Sequence, residues 1–108
     1  MGYIKHHAII VTGWKGEALE DAHKRAKAVF GDMVSPLVKS ATNGYISFFI
    51  APDGSKEGWE QSNTSDRERE SFINWLEDYM RDDKAGCLSY VELFYGEDNG
   101  EADIVKHN

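Results

Sequence analysis

The sequence predicts an α+β domain of order β-α-β-β-α-β-β, a ferredoxin-like antiparallel sheet with two helices on one face and a C-terminal β-hairpin. Two amphipathic helix patterns carry this expectation, together with short β-branched and aromatic runs that alternate with them. Paired helices that cross between strands favour right-handed connections, which would put both on one side of the sheet. The 108 residues suit one domain, residues 1–108, and a content of 41% hydrophobic and 12% aromatic residues is enough to bury a core.

Tyr3–Thr12 (YIKHHAIIVT) reads as the first strand, ended by Gly13. Glu17–Phe30 then places Leu19, Ala22, Ala26, Val29 and Phe30 at steps of three and four, the period of a half-buried helix, with Gly31 as its stop. Two strands, Val34–Ala41 and Tyr45–Ala51, flank Thr42-Asn43-Gly44, and the Asn-Gly pair predicts a tight hairpin turn with positive φ angles. Pro36 has no N–H for a ladder, so its strand belongs at a sheet edge. Ser65 and Glu68 have capping-box spacing, which predicts a second helix from about Asp66 to about Arg81 with the stripe Phe72, Ile73, Leu76, Tyr79 and Met80. Gly86 marks the exit from that helix. Ser89–Tyr95 is the next strand, Gly96–Gly100 (GEDNG) a turn and Ala102–Lys106 the last strand.

Strand alternation assigns faces. Ile46, Phe48 and Ile50 suit the covered core, and so does the aliphatic set Val91, Leu93 and Tyr95; Tyr45, Phe49, Tyr90 and Phe94 then fall on the open face. Tyr90 and Phe94 there predict the contact of a homodimer or higher homo-oligomer. The same aromatic surface also has the character of a stacking platform for a base.

Charge excludes several functions. The net charge is −7, with six Lys/Arg against four Asp/Glu in residues 1–50 and six against fifteen in residues 51–108. Duplex nucleic acid is not an expected partner, because its counterions are displaced by a basic face. An acidic DNA mimic would carry a denser negative surface. No apolar run approaches the ~20 residues of a membrane span. The amino terminus has no basic region followed by an apolar stretch, so a cytoplasmic protein is expected.

Chemistry-bearing motifs are few. Cys87 is the only cysteine and has neither a thiol partner nor a histidine near it in sequence. His6 and His7 are neighbours on a strand, so their rings point to opposite faces and cannot chelate one ion. His23 and His107 lack ligand spacing. No catalytic residue, metal site or cofactor is predicted, and the chain leans away from being an enzyme. Its nearest approach to an acid–base pair is Glu92 beside a strand histidine. Trp14-Lys15-Gly16 joins a strand to a helix start, where free N–H groups favour an anion. Lys24, Arg25 and Lys27 make the first helix basic. Pro52–Thr64 is a long connection that carries Trp59, and Arg67 and Arg69 oppose the dipole of the helix that follows. Together Trp14, Lys15, Tyr45, Phe49, Trp59, Arg67 and Arg69 form the candidate ligand set: aromatics for a base and cations for phosphate.

Three segments, YIKHHAIIVT, NGYISFFIAPDGSKEGWEQS and VELFYGEDNGE, give the chain a further context. In them it resembles small proteins of unassigned role encoded in accessory regions of tailed bacteriophages. The resemblance implies a bacterial host cytoplasm and an anti-defence role, and it assigns no residue. The expected function is therefore a phage-type accessory protein that binds and sequesters a small nucleotide-like signalling ligand. The alternative is a protein-binding inhibitor of a host factor acting through the open sheet face or an acidic helix, with a small hydrolase as a third.

Overall fold

A computed structural model describes residues 6–14, 16–52, 60–81, 88–96 and 102–107. Five strands and two α-helices follow in the order β1 (His6–Gly13), α1 (Gly16–Phe30), β2 (Val38–Lys39), β3 (Ile46–Ile50), α2 (Glu60–Met80), β4 (Leu88–Tyr95) and β5 (Ala102–His107), with a 3-10 turn at Gly31–Met33. The strands form one antiparallel sheet in the order β2-β3-β1-β4-β5. The α+β class, the antiparallel pairing and the hairpin of β4 with β5 therefore agree with the sequence.

The central strand is β1, whose apolar run needs neighbours on both sides. Its register with β3 sets Ile9 against Ile50 and Val11 against Phe48, and its register with β4 sets Ile9 against Glu92 and Val11 against Tyr90. Residues directly opposite in an antiparallel pair share a face. Helix α1 lays Ala18, Leu19, Ala22, Ala26 and Phe30 on that face, and α2 adds Phe72, Ile73 and Leu76. One core results. Phe72 is its centre, edge-on to Phe30 with ring centroids 5.7 Å apart and stacked on Trp75 at 6.3 Å.

Gly31 ends α1 at φ +60°, a left-handed conformation that a β-carbon disfavours. The predicted hairpin turn is different from expectation: positive φ occurs among the described residues only at Gly31 and Gly96, so Asn43-Gly44 is not a mirror-image two-residue turn. A longer loop closes instead. Its ends are tied by Ser40 N–H to the Tyr45 carbonyl at 2.9 Å, and the Asn43 side chain accepts the Tyr45 N–H at 3.0 Å. That Asx-type contact uses Asn without requiring φ above zero.

The strand predicted over Val34–Ala41 shrinks to Val38–Lys39 at the sheet edge. Pro36 interrupts it, and beside the interruption Ser35 Oγ accepts the Phe49 N–H at 2.8 Å. The second helix starts at Glu60, not Asp66. Ser65 is not a cap; it lies buried inside the helix and extends the inward row through Arg69, Phe72, Ile73 and Leu76. A polar first turn hid this start, because it has no apolar period to read.

The face assignment of β4 is also corrected. Leu88, Tyr90 and Glu92 are buried toward the helices, and Val91, Leu93 and Tyr95 lie on the uncovered side. Phe94 pairs with His7, one alternation from Ile9, and so is on the covered side too. Tyr90 is a core residue whose hydroxyl donates to Glu77 Oε1 at 2.7 Å. The polar end of a tyrosine can enter a core where α2 supplies an acceptor, and that acceptor is invisible from β4 alone. The helix exit at Gly86 and most of the GEDNG turn lie outside the described residues.

Gly96, after β4, has φ +78°, and a β-carbon there would lie 2.5 Å from the His6 ring. That ring packs against Tyr95 with centroids 5.4 Å apart. Gly31→Ala meets only the backbone strain of about 1–2 kcal/mol, having nothing within 4 Å. Gly96→Ala adds a steric clash, so urea denaturation should show it to be clearly the more destabilising of the two. Equal losses would remove the role given to His6.

Candidate functional site: a charged cleft between helix 2 and the sheet

On α2, Asp66, Arg69, Glu70 and Ile73 follow each other at steps of three, one and three, the spacing that puts side chains on one helix face. This face lies over Glu92 on β4 and over Val105 and Lys106 on β5, and His7 on β1 closes the end. Together they bound a cleft of about 330 Å³. That is the small end of the range for ligand sites, ~300–1,000 Å³.

Two opposite charges lie deep in it: Arg69 and Glu92 are 8% and 9% exposed. Arg69 is held from two sides. Its Nη2 donates to the Asp66 carboxylate, one helical turn away, and its Nε lies 3.5 Å from Glu92 Oε2. Burial raises the Glu92 carboxyl above its ordinary range and Asp66 reinforces that shift, while Arg69 and Lys106 oppose it. At the outer wall Lys106 Nζ is 3.1 Å from Glu77 Oε1, the oxygen that also accepts from Tyr90. The two contacts hold the Glu77 carboxyl below its usual value, the Tyr90 bond first. Burial, followed by that same hydrogen bond, pushes the Tyr90 phenol upward.

Both cations of this region are therefore already engaged by carboxylates. Among the described residues three acids (Asp66, Glu70 and Glu92) line the cleft with Arg69 and Lys106, and Glu77, outside the lining, pairs with Lys106. The local field is negative, which disfavours a phosphate and favours a cation. Among the described residues no serine, threonine or cysteine lines the cleft. Among the described residues no group of three or more His, Cys, Asp or Glu is placed to hold a metal.

The ligand set expected from sequence is dispersed. Trp14 directly follows Gly13 and Tyr45 directly precedes Ile46, its pairing partner, so these two exposed aromatics flank one end of the sheet. The cleft is at the other end, beside His7, seven residues or roughly 23 Å along β1 at ~3.3 Å per residue. Phe49 pairs with Ile10 on the uncovered face, away from both. Arg67 is exposed and donates to Thr64 Oγ1 at 3.4 Å. Lys15 and Trp59 lie outside the described residues. Of the described members of the candidate set only Arg69 lines the cleft, and one small ligand cannot reach it together with Trp14, Tyr45 and Phe49.

Asp66, Glu70 and Lys106 were not singled out by sequence, and His7 entered only as a strand histidine unsuited to share a metal with His6. A signal existed in the spacing 66-69-70-73, which marks one helix face; which strand that face would meet is a tertiary fact. Glu92 does share its site with a strand histidine, but on the helix side of the sheet and not on the open face. Among the described residues no helix is long and apolar enough to cross a membrane. No family model, no curated protein and no solved structure matches this chain.

Proposed function

We propose that this protein is a non-catalytic binding protein whose cleft between α2 and β4–β5 captures a small ligand carrying an ammonium or guanidinium group. The observation that carries the reading is the charge of the cleft: three carboxylates line it with two cations, and both cations are already paired, Arg69 with Asp66 and Glu92 and Lys106 with Glu77 outside the lining. A ligand cation desolvated there meets Glu70 and Asp66 at the entrance and Glu92 at depth. In this reading the ligand would be held and released intact, which is sequestration; among the described residues no hydroxyl or thiol side chain lines the wall. In the context suggested by the bacteriophage resemblance, the ligand would be a host-cell molecule. We also read the fold as ferredoxin-like with one added C-terminal strand; the order β2-β3-β1-β4, split by the antiparallel β1 between α1 and α2 connections, supports this.

Thermal unfolding against agmatine, putrescine, arginine and nucleoside monophosphates at fixed ionic strength tests the proposal. A ligand that binds only the folded chain raises the melting temperature, by the equivalent of about 2.7 kcal/mol at a hundredfold excess over Kd. The cationic compounds should stabilise, and Glu70→Gln should weaken them about tenfold, roughly one charge-assisted contact. Glu17→Gln, on the exposed start of α1, should leave binding unchanged. Stabilisation by nucleotides alone, or equal effects of the two variants, would refute the cleft as a cation site.

A further inference from the structure

Among the described residues, the sheet face away from the helices carries no Asp, Glu, Lys or Arg, and its ionisable groups are the imidazoles of His6 and His107. Every Asp, Glu, Lys or Arg in the five strands lies on the helix side. Glu92 pairs with Ile9, Asp103 with Phe94, Lys106 with Glu92 and Lys39 with Ile46, and all of these partners are on the covered face. Among the described residues the opposite face carries Ala8, which is buried, with Ile10, Phe49, Val91, Leu93, Tyr95 and Ile104, the imidazoles His6 and His107 at one end, and Thr12 and Ser47 joined by a 2.8 Å hydrogen bond between their hydroxyls. A half-covered antiparallel sheet ordinarily shows the reverse, apolar toward the helices and polar toward water. In a chain with 29% charged residues, an uncharged solvent face is an unusual distribution. Ile104 and Val38, on opposite outer strands of that face, are each 61% exposed.

We infer that this face is covered by a second copy of the same chain, packed sheet against sheet about a two-fold axis. Three observations select this occupant. First, each copy carries a net charge of −7, so two copies repel wherever charged surfaces meet, and the uncharged face lets them approach without opposing like charges. Second, a two-fold contact requires a self-complementary patch, which an apolar sheet face with no charge pattern satisfies in itself. A partner chosen by electrostatics would instead need fixed charges to read, and no strand Asp, Glu, Lys or Arg lies here.

Third, the size suits a modest two-fold contact. Five strands spaced by ~4.8 Å and on average about six residues long at ~3.3 Å give a footprint of roughly 24 by 20 Å. That is about 480 Å² in projection, to which side-chain relief adds, at the small end of the range for specific interfaces. Sheets packed this way stand ~10 Å apart with interdigitated side chains. The helices and the α2 cleft of each copy then face outward, so the assembly leaves the proposed ligand site open. The contact residues differ from those expected on sequence: Tyr90 and Phe94 are on the wrong side of the sheet to take part.

Sedimentation velocity of the full chain from about 1 to 100 µM, with Ile104→Glu and Val38→Glu, decides the matter. Both positions are exposed in the single chain, so the substitutions should keep the fold, which circular dichroism checks. The wild type should sediment as a dimer. Each variant should weaken self-association at least tenfold, and the pair together should give monomer. Glu20→Lys, exposed on α1, should leave the dimer intact. A wild-type monomer at 100 µM would overturn the inference, and so would a dimer unaffected by both face variants. Recovery of the folded chain bound through this face to a different protein would overturn it as well.

Discussion

Arg69→Leu is expected to destabilise the protein by about 3–5 kcal/mol at neutral pH, the range for removing one member of a buried ion pair. Arg69 and Glu92 are both about nine-tenths buried, so the carboxylate left behind has no route to full solvation. The loss should depend on pH in a definite direction. Burial already raises the Glu92 carboxyl above its ordinary 4.5, and removing Arg69 takes away the largest opposing influence. A folded state that keeps a proton which the unfolded chain releases loses stability as pH rises through that window. The variant should therefore lie closest to the wild type near pH 4 and fall progressively behind toward pH 8. Adding Glu92→Gln should recover a large part of the deficit at pH 7 and flatten the profile. Urea titrations at several pH values measure this. A deficit that is constant across pH would mean that Arg69 acts through the packing of its aliphatic stem alone.

Phe72→Ala is expected to cost a similar amount, about 3–5 kcal/mol, by a different cause: a cavity at the centre of the hydrophobic core. Phe72 is fully buried and carries the contact between the helices through Phe30. Against a total of about 5–15 kcal/mol for a domain, that loss removes much of the margin. Thermal unfolding should show a large drop in midpoint, with no dependence on pH between 5 and 8, unlike Arg69→Leu. The contrast separates packing from charge. A drop below about 1 kcal/mol would indicate that neighbouring side chains refill the space.

Phe72 was legible from the sequence because helix period and stop signals are local. The α1 stripe ending at Gly31 and the α2 stripe from Phe72 to Met80 rest on steps of three and four residues, and any such stripe has to be buried against something. Pro36 at an edge was legible for the same kind of reason: a missing N–H is a property of one residue. The α2 start was not, since Glu60–Thr64 has no apolar period and is helical as the continuation of a helix anchored further along. Nor was the turn at Asn43, where side-chain capping replaced the positive φ that Asn-Gly usually signals.

By itself, then, the sequence determined the class of the domain, the identity of its two helices, the edge position of the Pro36 strand and the alternation within β3 and β4; the bulge that breaks alternation in β5 was a tertiary fact. Alternation divides β4 into Val91, Leu93 and Tyr95 against Tyr90, Glu92 and Phe94, but it is symmetric between the two faces. Only the tertiary structure decided which set looks toward the helices, because that depends on what α2 offers: Glu77 for the Tyr90 hydroxyl and Arg69 for Glu92. Those two contacts across layers place a tyrosine and a glutamate inside, leave the aliphatic set outside, and so create both the charged cleft and the uncharged face.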